Sequence, residues 1–330
     1  MRMGLAFSGA VTFGIAVLGA CDAAHGVAGV DGQAAPPVDS APSPPPVDAA
    51  IGGPYPIVLA HGLFGFANIG PLDYWYGIPP VLEAQGRNVY VSVVDPVQTS
   101  DVRGAQLVAN IETAKQMFGA QKVIVIGHSQ GGLDARWAAA NDPDSIAAVI
   151  TIATPHRGSP VADVAAGLVP GDAEAALDAI ADLFGISSTS FEGALATLTT
   201  TGAAAFNAQV QDVKGIRYWS VAGRSNLATS DECPPSSTIT QEWDSSNDPM
   251  NPVLLPLGGI LDAAVSPETP VQDGLVTLDS AQWGTFLGCV PADHLAEVCQ
   301  IAGESPGLGN DFDCLKLYEN LGNMLTTDGL

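Results

Sequence analysis

Three features of the sequence predict an α/β fold in which a mostly parallel sheet is flanked by helices. Short apolar, β-favouring runs alternate with helix-compatible ones from Pro56 to Ile152, the pattern of strands joined by crossover helices. One of these strands, Val123-Ile124-Val125-Ile126, runs directly into Gly127-His128-Ser129-Gln130-Gly131, a serine between two glycines, and a helix-compatible run from Leu133 to Asn141 follows. An Ala-, Gly- and Thr-rich segment, 161–210, is inserted on the C-terminal side of the sheet, where loops that cover ligands belong. It reads equally as ordinary packing helices or as an amphipathic lid.

In chain order, Pro56-Ile57-Val58-Leu59-Ala60 is a strand that ends in the turn His61-Gly62-Leu63-Phe64-Gly65. Asn88 to Val94 offers the next strand. Gly104 to Phe118 reads as a helix, because Leu107, Ile111, Ala114 and Phe118 recur on one face and have a core to pack against. The strand and helix around Ser129 come next, then Ala147 to Ile152 as a strand and the loop Thr154-Pro155-His156-Arg157-Gly158-Ser159, which His156 shapes. Inside the insertion, Leu168, Leu177, Ile180, Leu183 and Phe184 stand at helical spacings. Ile216 to Ala222 is a further strand, and Gly223 to Pro270 reads as loop because of its prolines.

The chain is 330 residues long, 47% hydrophobic and 14% charged, enough for one catalytic domain over 54–330. Eleven basic against 35 acidic residues, a formal charge of -24, argue against nucleic acid and against charge-driven binding to anionic membranes. Residues 1–20 carry one charge, Arg2, ahead of an uncharged run, and end at Leu18-Gly19-Ala20-Cys21. That is an export signal, with a lipobox-like end that would leave Cys21 lipid-modified; a plain secretory signal is the alternative. Residues 21–53 are rich in Ala, Pro and Gly without an aromatic side chain, a linker that cannot build a core. Beyond Cys21 the cysteines are Cys233, Cys289, Cys299 and Cys314, which permit two disulfides in three pairings in an oxidising compartment.

Gly127 and Gly131 let a strand reverse sharply into a helix, which leaves the Ser129 hydroxyl above the sheet with helix amides aimed at it. A serine needs a general base, and the base needs a carboxylate. Of the five histidines, His25 lies in the linker, His61 and His128 belong to turns, and His156 precedes any suitable acid, so His294 remains. Asp273, before Gly274, is the best acid, with Asp262 and Asp279 as fallbacks; Asp293 adjoins His294 and their side chains diverge. The order serine, acid, histidine is that of the α/β-hydrolase fold, in which the amides of Leu63 and Gln130 would form the oxyanion hole. No organic cofactor is required for this chemistry.

The runs from Tyr55 to Phe66, Asp73-Tyr74-Trp75-Tyr76-Gly77-Ile78-Pro79, Val102 to Leu107, Ile126 to Gly132, Pro155 to Ser159, Asp273-Gly274-Leu275-Val276 and His294 to Gln300 together resemble the true lipases of Pseudomonas and Burkholderia. The resemblance implies a triad of Ser129, Asp273 and His294, a helical lid that opens at a lipid surface, and triacylglycerol as substrate. It also implies a folding chaperone as partner for some members. Shorter or polymeric esters are the alternative substrates, and a binding protein that kept the fold without turnover is the reading outside enzymology.

Two departures stand out. The family holds structural calcium with two aspartates, a glutamine and a backbone carbonyl; Asp248 and Gln300 match, but the second aspartate falls at Ala296, and losing a charged oxygen ligand weakens such a site severely. The family's one disulfide maps only in part: Cys289 matches, Cys233 sits later than its expected partner, and Cys299 and Cys314 are additional; we expect Cys233 to pair with Cys289 and Cys299 with Cys314.

Overall fold

The computed structural model describes residues 54–65, 68–69, 72–184, 192–225, 233, 237–244, 248, 250–265, 270–300 and 310–330. The expected export signal, Cys21 and the 21–53 linker lie outside the described residues.

Strands β1 (Ile57–Ala60), β2 (Asn68–Ile69) and β3 (Leu72–Asp73) precede helix α1 (Ile78–Ala84), and β2 and β3 form a small antiparallel pair. Then follow β4 (Val89–Val91), α2 (Ser100–Phe118), β5 (Val123–His128), α3 (Gln130–Asn141) and β6 (Ile146–Ile152). Four helices come next: α4 (Pro160–Ala165), α5 (Ala173–Phe184), α6 (Glu192–Leu198) and α7 (Thr200–Gln209). The chain closes with β7 (Arg217–Gly223), α8 (Leu255–Val265), α9 (Leu278–Ala281), β8 (Thr285–Val290) and α10 (Cys314–Thr327). The main sheet is wholly parallel, ordered β4-β1-β5-β6-β7-β8, with Leu59 beside Ile126 and Ile126 beside Ile150.

Successive side chains of a strand point to opposite faces, and here both faces are covered. Ile124 and Ile126 of β5 join Ile57, Leu59, Trp75, Tyr318 and Leu321 in one core, against α1 and α10. Val123 and Val125 join Val58, Leu107, Ile111 and Ala135 in the other, against α2 and α3. A third cluster, including Leu63, Val161, Ile180, Leu195, Leu254 and Leu295, packs the inserted helices and α8 together. Leu177 and Ile180 thus serve as helical core contacts, whereas Leu168 lies beyond the end of α4 and is 56% exposed.

Two expected elements differ. The strand expected over 88–94 shortens to β4, because the Val94 amide turns to the His61 ring (3.2 Å) and that of Asp95 to Gln106 (2.7 Å). The stretch read as loop contains α8: its proline, Pro256, stands in the first turn, where a missing N–H breaks no helical bond. Disulfides Cys233–Cys289 and Cys299–Cys314 are the pairs expected from the sequence. Two such bonds belong to an oxidising compartment, and the chain is exported. Among the described residues no helix is long and apolar enough to cross a membrane.

Candidate active site

Ser129 joins β5 to α3 with φ 55° and ψ -130°, a conformation that a side-chain-bearing residue adopts only under constraint. The constraint is close packing. A Cβ on Gly127 would lie 2.5 Å from the Gly131 carbonyl oxygen, and one on Gly131 would lie 2.2 Å from that of Ala60, so both positions exclude side chains. The Ser129 amide is tied to the Ile152 carbonyl at 2.9 Å, which fixes the turn against β6.

Beside it runs the turn after β1. The amides of Gly62, Phe64 and Gly65 donate to Tyr74 Oη, Pro96 O and Gly62 O, whereas the Leu63 amide has no protein acceptor among the described residues. The Gln130 amide opens α3, where N–H groups lack intrahelical acceptors. Both expected oxyanion donors therefore keep their hydrogen-bonding capacity. Arg103, fully buried and paired with Asp134 at 2.7 Å, braces the turn by donating to the His61 carbonyl at 2.7 Å.

Asp273 and His294 sit on loops after β7 and β8. Asp273 Oδ2 meets His294 Nδ1 at 2.8 Å, while Oδ1 accepts the amides of Leu275 (2.8 Å) and Val276 (2.7 Å), so the carboxylate has a single orientation. His294 also donates its own amide to the Asp273 carbonyl at 2.9 Å. Asp293 faces elsewhere and caps the amides of Leu295 and Ala296, and Asp262 accepts from Gln272. Of the acids weighed from the sequence, Asp273 alone is the one hydrogen-bonded to His294 among the described residues.

Ser129, His294 and Leu63 line one cavity, which Val161, Ile180 and Leu195 of the inserted helices line from the other side.

The other histidines are committed to structure. Burial, then Arg103, lowers the His61 pKa to about 4, and the ring accepts the Val94 amide. His156 is held by Thr151 and Arg136 and stacks on Trp283, and its burial likewise keeps it neutral.

Sequence reasoning missed a buried group around His128. Tyr74 Oη lies 2.6 Å from His128 Nδ1, and Glu297 Oε2 lies 3.6 Å from His128 Nε2. Burial, then Asp273, raises the Glu297 pKa well above the usual carboxylate range. Only the position of Glu297 three residues after His294, half a turn away in sequence, hinted at it. Ligand-capable atoms of His128, His294 and Glu297 lie within 4.8 Å of one another, a nitrogen-rich set unlike the all-oxygen shell that calcium takes.

The calcium pattern fares less well. Asp248 is buried with no hydrogen-bond partner for either carboxylate oxygen, as a ligand would be, and burial together with Asp293 raises its pKa to about 7. The second aspartate's place is taken by Ala296, the Gln300 amide donates to the Tyr74 carbonyl (3.3 Å), and Glu297 turns toward His128. One uncommitted carboxylate does not make the oxygen shell of a hard cation, so these residues do not fit the family's calcium set.

A strained serine at the C-terminal end of a central parallel strand, sharing a cavity with a carboxylate-bound histidine, defines the class of the serine hydrolases with an α/β architecture. The family described as alpha/beta hydrolase fold matches residues 55–230. A triacylglycerol lipase of Vibrio cholerae is 33% identical over 306 residues, covering 84% of this chain and 89% of that one. A triacylglycerol lipase of Pseudomonas fragi is also 33% identical, covering 78% of this chain and 92% of its own. Within the alpha/beta hydrolases, this chain belongs to the triacylglycerol lipases. Its architecture is shared with a Bacillus licheniformis lipase in mature form (TM-score 0.55, 23% identity, 79% and 90% of the two chains) and with Staphylococcus hyicus lipase (TM-score 0.56, 16% identity, 83% and 95%).

Proposed function

We propose that this protein hydrolyses carboxylic esters, triacylglycerol foremost, through an acyl-enzyme. Ser129 attacks the ester carbonyl while His294 takes its proton, and Asp273 holds His294 in the tautomer that can do so. The amides of Leu63 and Gln130 receive the oxyanion, and His294 then returns the proton to the departing alcohol. Water repeats the sequence on the acyl group and releases the acid. The observation that carries this reading is the 2.8 Å contact of Asp273 with His294, on the cavity that Ser129 enters.

The inserted helices serve as the lid, since Val161, Ile180 and Leu195 from them line the cavity that Ser129 enters. In the second reading those helices are a fixed wall, and the protein is a carboxylesterase for short or polymeric esters. Lipidation at Cys21 would hold the enzyme at the cell envelope, with the 21–53 linker as tether. Hydrolysis of emulsified long-chain triacylglycerol beside a soluble short-chain ester, with Ser129→Ala as control, tests both. Emulsion turnover absent from the variant is expected; turnover of the soluble ester alone selects the second reading, and equal turnover by the variant overturns both.

A further inference from the structure

We infer that Glu297, His128 and Tyr74 form a buried positioning chain that sets the oxyanion turn against the nucleophile and the base. The inference rests on the ester-hydrolase reading and assigns it three further residues.

The links are consecutive. The Gly62 N–H donates to Tyr74 Oη at 2.9 Å, and Tyr74 Oη lies 2.6 Å from His128 Nδ1. His128 is kept neutral by burial, so Nδ1 can accept the tyrosine proton, and that tautomer carries its own proton on Nε2. Nε2 faces one carboxylate, Glu297 Oε2 at 3.6 Å, an electrostatic contact just beyond hydrogen-bond range. The chain therefore begins one residue before the candidate oxyanion donor Leu63, passes through the residue before Ser129, and ends three residues after His294. Its middle packs on the base itself, with the His128 and His294 rings 4.6 Å apart.

Packing alone does not account for Glu297. It is 0% exposed, and neither carboxylate oxygen has a hydrogen-bond partner. A leucine would fill the same space without the cost of desolvating a carboxyl. Its backbone carbonyl is separately anchored to Tyr318 Oη at 3.2 Å, and Cys299 two residues on is bonded to Cys314, so its side chain is not needed to hold its own loop. At the other end, Gly62 has no room to drift: a Cβ there would be 2.7 Å from Ser129 Cβ and 2.9 Å from Tyr74 Oη. An acceptor on Gly62 N–H fixes the His61–Gly62 peptide, directly before the one that carries the Leu63 amide, and a displacement near 1 Å at such a donor costs about a hundredfold in rate.

The test uses the full-length protein and a soluble short-chain ester, with kcat expressed per site titrated by a serine-directed phosphonate, so that misfolded molecules are not counted. Tyr74→Phe and Glu297→Leu should each lower kcat per site about tenfold to a hundredfold, with KM within about twofold. Glu297→Gln, whose neutral amide can still accept from His128, should recover most of that loss. The double variant Tyr74→Phe/Glu297→Leu should lose no more than the worse single variant, because both break one chain. Single variants with wild-type kcat per site, or losses that multiply in the double variant, overturn the inference while leaving the enzyme reading intact. Activity surviving in Ser129→Ala would instead overturn the reading beneath it.

Discussion

The two halves of the site are built by different means. Ser129 and Leu63 stand on turns that leave adjacent parallel strands, β5 and β1, and are fixed by backbone: strained dihedrals, glycines without room for a Cβ, and ladder bonds. Asp273 and His294 stand on long loops after β7 and β8 and are fixed by side chains: carboxylates that cap amides, a histidine bonded to an acid, and a disulfide. The first half draws on the sheet and on two buried side-chain braces, Arg103 with Asp134 and Tyr74 on Gly62. The second needs partners far away in sequence, which is why Cys299 is joined to α10 rather than left to its neighbours.

Changes to the chemistry itself should have the largest effect and should ignore the distinction. Ser129→Ala should lower kcat about a millionfold with an unchanged fold, read by single-turnover ester hydrolysis. Asp273→Asn keeps the geometry but permits the wrong tautomer, with a loss of about ten-thousandfold.

Stability should separate the halves. Arg103→Met leaves Asp134 buried without its partner and removes the brace on the oxyanion turn, with an expected loss of about 3–5 kcal/mol in urea unfolding. Replacing Cys299 and Cys314 by serine opens a loop of 15 residues and should cost about 3 kcal/mol, with activity falling before the sheet unfolds because the His294 loop loosens first.

A smaller effect depends on pH. The folded-state pKa of Glu297 is raised above its ordinary 4.5, so the stability linked to its proton is present below pH 4.5 and is lost as pH rises toward the folded value. Glu297→Gln removes that loss. Its stability relative to wild type should grow as pH rises above this point, measured by urea midpoints across about pH 5 to 8. Chelation should do least: with Ala296 in a ligand's place, the melting temperature with and without a chelator should agree. A drop on chelation would show that Asp248 recruits a cation through other oxygens, and that the second half of the site borrows stability from it.

What the sequence displayed follows the same division. The elbow could be read because its causes are local: four β-favouring residues, then glycines at the two positions where a Cβ would collide. The strand at β4 was overextended because its end is decided by the His61 ring, and α8 was missed because prolines that mark loops also begin helices. Asp273 emerged from chain order and its following glycine, not from any signal of contact.

By itself, then, the sequence determined the alternation of strands and helices, the candidate nucleophile and the short set of acids and bases from which its partners had to come. These depend on residue type and near spacing, which a chain carries in one dimension. Tertiary structure alone decided that Asp273 rather than Asp262 or Asp279 meets His294, that a fully buried Glu297 faces His128, and that Tyr74 holds Gly62 across twelve residues. Those pairings arise where loops from separate strands converge at one end of the sheet, and the orientation of a side chain there is set by neighbours that spacing in the chain does not reveal.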